Sequence, residues 1–239
     1  MKIKAGIFAA GHGERMRKQS DVLKPLVKVA GQTLIERVLH SLGKAGASEV
    51  VILINEDSTA VRDHVLNFEW PFQLSWIVET TPTSMHSFLR VVETLAATED
   101  DGPFLLSTVD TVAAPETYAE FFAQAQQSDA AVVLALTSPR DDAKPLLVRC
   151  ESGSSRISAI GEAAAPSEHA TAGIYAVRAA ILDEAADARR DGLDALRTFL
   201  GRLLERGYAL AGIPIADSID VDYSADVRKA EEFLESIAI

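Results

Sequence analysis

Residues 9–16 read Ala9-Ala10-Gly11-His12-Gly13-Glu14-Arg15-Met16, directly after an apolar run, and Lys24-Pro25-Leu26 follow downstream. Two glycines behind a buried strand let the backbone approach a ligand closely and turn its N–H groups toward an anion. A dinucleotide fingerprint would need a third small residue where Met16 stands, and a P-loop would need Gly-Lys-Ser/Thr. Neither pattern is met. What is present is a glycine loop with two cations, Arg15 and Lys24, suited to a polyphosphate; the same residues also fit a plain strand-to-helix turn with solvated cations. Asp110 closes a second buried run, and Asp220 and Asp222 precede a helical segment near the end of the sequence. Aspartates at such positions could hold a hard divalent cation, since Mg²⁺ needs only one or two carboxylates besides phosphate oxygens and water. They could equally be a turn acid and a cap-region acid. Histidines 40, 64, 86 and 169 have no metal-ligand spacing with Cys150, and Ser107 and Ser154 lack His/Asp partners at triad-like spacing.

The elements that must position these residues alternate along the chain. Residues 3–10, 49–55, 73–79, 103–108 and 130–137 read as strands; residues 33–45, 58–66, 85–97 and 116–127 read as helices. Thr33 and Glu36 form the pattern of a capping box. After residue 144 shorter strands are expected at 144–150, 156–160 and 171–177. A helix capped by Asp194 and stopped by Gly207, a strand at 208–215 and a helix capped by Ser224 complete the chain. This order predicts a three-layer α/β/α, Rossmann-like domain around a mostly parallel mixed sheet. On such a sheet ligands bind beyond the carboxyl ends of the strands, which are the loops after Ala10 and Thr108.

The chain has 239 residues, 35 acidic and 23 basic side chains, and a formal charge of −12. That length suits one large domain, residues 1–239. The acidic balance argues against a nucleic-acid partner, because phosphate backbones are bound by clustered cations. No apolar run reaches the roughly 18 residues of a membrane helix, so no membrane partner is expected. The N-terminus leads at once into a strand-like run without a cleavage site, and the single cysteine cannot form an internal disulfide; both suit a cytoplasmic protein.

Taken in order, the motifs resemble one family. Ala9-Ala10-Gly11-x-Gly13-x-Arg15-Met16, followed by Lys24-Pro25-Leu26-x-x-Val29-x-Gly31, looks like the signature of the NDP-sugar pyrophosphorylases and their MobA-like nucleotidyltransferase relatives, whose members share a GT-A-like fold. Thr83-Ser84-Met85 falls where these families place a nucleotide-base motif. The stretch 105–110 resembles the strand whose terminal aspartate holds Mg²⁺. Ala172-Gly173-Ile174-Tyr175 resembles the sugar-side strand, with Glu162 placed like the acid of the preceding Glu-Lys-Pro segment. Residues 220–226 resemble the closing Asp-x-Asp segment.

The resemblance implies a Mg²⁺-dependent nucleotidyltransferase that joins an NTP to a sugar 1-phosphate and releases pyrophosphate. Its catalytic cations would be Arg15 and Lys24. Ala10, Gly11, Gly13, Thr83 and Ser84 would bind the nucleotide, Asp110 and Asp222 the metal (with Asp220 as the alternative), and Glu162 and Gly173 the acceptor. Residues 1–140 would form the nucleotide-binding half and residues 141–239 the acceptor-binding and closing half. The partners implied are an NTP and a small phosphorylated acceptor; a homo-oligomer is compatible with this. The chain departs from the pattern at Glu14, where Thr is usual, at Leu23, where Pro is common, at Thr83-Ser84-Met85 in place of Gly-Thr-Ala, and after Glu162, where Ala-Ala replaces Lys-Pro. Those departures keep two alternatives in view: a molybdopterin- or phosphocholine-type nucleotidyltransferase, and a nucleotide-binding regulatory subunit without turnover. No left-handed β-helix repeat follows the last helix, so an attached acyltransferase is not expected.

Overall fold

A computed structural model describes residues 2–11, 16, 22–97, 102–140 and 145–237. Its first half is built from β1 (Ile3–Ala9), the short hairpin β2 (Lys28–Val29) and β3 (Gln32–Thr33), α1 (Leu34–Lys44), β4 (Ala47–Ile54), α2 (Thr59–Val65), β5 (Gln73–Val78), α3 (Ser84–Ala96), β6 (Phe104–Thr108), β7 (Thr111–Ala113), α4 (Thr117–Ala125) and β8 (Val132–Thr137). The second half adds β9 (Leu147–Cys150), β10 (Ile157–Ile160), β11 (His169–Val177), α5 (Ala185–Arg190), α6 (Leu196–Glu205), β12 (Leu210–Pro214), β13 (Ser218–Asp220) and α7 (Ser224–Ile237). Among the described residues, no helix is long and apolar enough to cross a membrane.

Nine strands form one sheet, in which β1 lies between β4 and β6, β5 is an edge, and β11 joins β6 to β8 and β9. The pairs β1–β4, β1–β6, β4–β5 and β8–β12 are parallel; β11 is antiparallel to β6, β8 and β9, and β10 to β9. Only β10 and β11 therefore oppose the direction of β1, and the sheet is mixed but mostly parallel. The period of two along each buried strand divides the core into two layers. Ala5, Ile7, Val50, Ile52 and Leu105 pack with Ile35, Val38, Leu39 and Phe121 under α1 and α4. Val51, Leu53, Phe104 and Leu106 face Phe88, Leu89, Val92, Phe199 and Leu203 of α3 and α6. Gly6 makes the second layer close: a Cβ there would run into the Val91 and Leu106 side chains. These two apolar layers around one sheet are the three-layer architecture the alternating pattern predicts.

Local signals set several boundaries. The capping box at α1 is formed, with the Thr33 N–H donating to Glu36 Oε2 at 2.7 Å and the Glu36 N–H to Thr33 Oγ1 at 3.3 Å. Asp194 does not cap α6. The cap position is Ala195, and the Leu196 N–H donates to Ser84 Oγ at 3.1 Å. A hydroxyl from α3 thus takes the role that sequence proximity assigns to the aspartate. A third, smaller apolar cluster of Met16, Val29, Leu34, Val112, Ile219, Val221 and Ala230 seats α7 beside the β2–β3 hairpin and the β7–β13 pair. The sequence pattern missed that pair, because strands of three residues carry too little periodicity to read.

Candidate functional site

The carboxyl ends of β1 and β6 open into a cavity of about 690 Å³. Phe8 pairs with Thr108 across the two strands, which sets Ala10 and Gly11 on the same rim as Asp110. Thr83 and Ser84, from the start of α3, form another part of the wall, and Lys24, Asp220 and Asp222 another. Of the residues singled out in the sequence, Lys24, Ala10, Gly11, Thr83, Ser84, Asp110 and Asp222 thus share one cavity. Gly13 and Arg15 lie outside the described residues, as do His12 and Glu14.

At the centre is a cation between two acids. Lys24 opens a short 3-10 turn whose Pro25 is buried, and its side chain is 12% exposed. The Lys24 ammonium donates to Asp110 Oδ2 at 2.5 Å and to Asp222 Oδ1 at 2.6 Å. Burial works against this ammonium, but the Asp110 and Asp222 carboxylates outweigh it and raise its pKa. Asp110 is burdened by the same burial, and Lys24 nevertheless holds its carboxyl below the usual range. The two aspartates meet because β13 pairs with β7, setting Asp220 opposite Thr111, and the Val221 N–H donates to the Asp110 carbonyl at 3.0 Å. Asp226 then fixes the turn that carries Asp222, accepting from the Asp222 and Tyr223 N–H groups at 3.2 and 2.9 Å.

Behind this pair lies a third acid. Burial, and next the charge of Asp110, push the Asp220 pKa up to about 7. Thr111 Oγ1 stands 3.1 Å from Asp220 Oδ1, 3.0 Å from the Ala172 carbonyl and 2.9 Å from Thr108 Oγ1. The Thr111 hydroxyl can donate to either the Ala172 carbonyl or Asp220 Oδ1. Gly173 sits against it with φ +71°, and a Cβ there would strike the Thr111 and Thr108 hydroxyls. Gly173 is therefore packed behind the acids and is not among the residues lining the cavity; Glu162, in a 3-10 turn after β10, is not among them either. The rest of the wall includes Thr137, Ser138, Thr171, Tyr175 and Arg197. Sequence reasoning gave none of these residues a site role, although Tyr175 lies in the Ala172–Tyr175 motif, since isolated hydroxyls and arginines carry no spacing signal.

The donor set suits a hard cation. Asp110 and Asp222 already share one positive charge, the ammonium, through one oxygen each. Among the described residues no group of three or more His, Cys, Asp or Glu side chains is arranged to hold a metal on its own. A cation at this point would complete its shell with oxygens from a ligand and water, which is how Mg²⁺ is ordinarily held.

This architecture is that of solved nucleotidyltransferases. The inositol-1-phosphate CTP transferase from T. maritima superposes with a TM-score of 0.80 at 20% identity, over 99% of this chain and 96% of that one. A UDP-glucose pyrophosphorylase complexed with UDP-glucose gives 0.74 at 16% identity, over 99% of both chains. Residues 5–204 match the MobA-like NTP transferase domain, and the chain belongs to that family. Mannose-1-phosphate guanyltransferases from Gibberella zeae and Yarrowia lipolytica are 28% and 24% identical over 46% and 76% of this chain. The chain spans 31% and 51% of the length of these two curated relatives.

Proposed function

We propose that this protein is a sugar-1-phosphate nucleotidyltransferase, which joins an NTP to a sugar 1-phosphate with release of pyrophosphate and uses Mg²⁺. The observation that carries the reading is the Lys24 ammonium held between Asp110 and Asp222 at the mouth of the cavity beside Ala10 and Gly11. The similarity to mannose-1-phosphate guanyltransferases supports a sugar 1-phosphate as the acceptor.

In this reading an acceptor phosphate oxygen attacks the α-phosphorus of the NTP in line, and the bond to the bridging oxygen breaks as pyrophosphate departs with the charge. The protein's work is positioning and charge stabilisation rather than covalent chemistry. The loop from Ala10 through Gly11 and Gly13 offers N–H groups to the phosphates, and Arg15 and Lys24 oppose the charge that gathers on them. Asp110 and Asp222 would hold Mg²⁺, which when bound supplies further positive charge against the phosphate oxygens. Thr83 and Ser84 border the nucleotide. Glu162 and Gly173 belong to the acceptor half, residues 141–239, as Lys24 and Asp110 belong to the nucleotide half, residues 1–140. The test is pyrophosphate release from a panel of four NTPs, each with mannose, glucose and N-acetylglucosamine 1-phosphates and Mg²⁺. One productive pair is expected, and silence across the whole panel overturns the reading.

A further inference from the structure

The Lys24 ammonium does more than border the acids: it hydrogen-bonds both of them, at 2.5 and 2.6 Å, while only 12% of its side chain is exposed. Those two oxygens are the donors a divalent cation would use. An ammonium in contact with both opposes a second cation on the same two oxygens, by occupying them and by like charge. Asp220 lines the same cavity, opposite Thr111 in the β7–β13 pair, so among the described residues three aspartates and Lys24 share this wall. No third carboxylate completes a metal cage among the described residues. Metal alone therefore has to displace a buried, doubly bonded ammonium from the two carboxylates it holds. A triphosphate changes that balance, because it gives the ammonium another anion and brings its own oxygens.

We propose that Lys24 and the divalent cation compete for Asp110 and Asp222, so that the metal is admitted only together with a polyphosphate, to which Lys24 then turns. This rests on the nucleotidyltransferase reading for the identity of the polyphosphate, but the competition itself is a property of the three side chains. It makes Lys24 a gate against metal as well as a cation for the phosphates.

The test uses Mn²⁺ as the probe, with binding followed by electron paramagnetic resonance and by thermal melting, in the absence of nucleotide. Wild type is expected to give neither saturable binding at about millimolar Mn²⁺ nor a shifted Tm. Lys24→Met keeps the length of the stem, removes the charge, and leaves the acids uncompensated. It is expected to bind Mn²⁺ roughly 100-fold more tightly than wild type and to recover with Mn²⁺ the Tm it loses without it. The gain should vanish in Lys24→Met/Asp222→Asn. Wild type binding Mn²⁺ alone within a few-fold of Lys24→Met overturns the proposal. Should Lys24→Met fail to fold, wild type decides the matter with inorganic tripolyphosphate. Mn²⁺ retained through desalting only when tripolyphosphate is present supports competition, and equal retention without it overturns competition. An active enzyme whose wild type binds Mn²⁺ alone refutes the competition but not the activity; a metal gate without transfer in any substrate pair refutes the activity alone.

Discussion

Glu36 and Asp220 are acids in very different company. Glu36, 8% exposed, receives the Thr33 N–H, and its Oε1 lies 3.3 Å from His64 Nε2. Burial works against its ionisation, yet the Thr33 hydrogen bonds and His64 bring its carboxyl below the usual range. Every partner lies nearby and serves the fold. Among the described residues Asp220 sits with Asp110, Asp222 and Lys24, and burial and the Asp110 charge drive its pKa the other way. One cluster is balanced and stabilises a helix start; the other, among the described residues, gathers Asp110, Asp220 and Asp222 near Lys24. Under the proposed function, this acid cluster is the one a cation would meet.

Several measurements would break or sharpen this contrast. The largest effect is expected at the aspartate cluster, where Lys24→Ala should lower turnover by roughly 10²-fold or more through loss of charge against the phosphates. Steady-state rates with the productive substrate pair decide it, and near-normal turnover would remove Lys24 from the catalytic centre. Asp110→Asn and Asp222→Asn should each abolish most Mg²⁺-dependent turnover, with Asp220→Asn less damaging; the reverse order would move the metal site to Asp220. Stability should separate the acids by sign. The Asp220 pKa is raised on folding, so wild type is favoured below the unfolded value near 3.8 and loses that advantage as pH rises through about 7. Melting in chelator should therefore show Asp220→Asn gaining a few degrees over wild type at pH 8 and little near pH 4. Glu36 behaves oppositely: its ionised form stabilises the fold above 4.5, and the benefit fades as pH falls through its depressed pKa. Glu36→Gln should cost about 1 kcal/mol in urea unfolding at pH 7 and progressively less toward pH 3. The smallest effect belongs to Glu162→Ala, expected to raise the acceptor KM about two- to threefold and leave the NTP KM alone. An unchanged acceptor KM would take Glu162 out of the acceptor site.

The same contrast explains what could be read in advance. The Thr33–Glu36 box spans three residues and is legible as letters, as are the buried runs that became β1, β4, β6 and β8. Lys24 and Asp222 are separated by 198 positions, and no spacing rule connects them. Residue type and position singled each out, the resemblance gave them their joint role, and their contact depends on β7 and β13, strands too short to carry a periodic signal. Asp194 shows the converse. A plausible local cap lost to Ser84, a hydroxyl supplied from a distant helix, because tertiary packing delivered a donor's partner that local sequence could not reveal. The hydroxyls behind Asp110 and Asp220 were illegible for the same reason: Thr108 and Thr111 acquire their meaning only from the close approach of Gly173.

The pairing of β13 with β7 also has a consequence for biosynthesis. Lys24 and Asp110 are translated early, but the strand and turn that deliver Asp222 come in the last tenth of the chain. At bacterial-to-eukaryotic elongation rates, the 198 positions from Lys24 to Asp222 represent roughly ten seconds or more of synthesis. During that interval the nascent sheet can assemble around β1, β4, β5 and β6, whose pairings are largely complete by Thr108. The charged centre cannot. A ribosome-bound chain would therefore acquire its scaffold well before its chemistry, and arrest short of β13 would leave a folded body without a finished site.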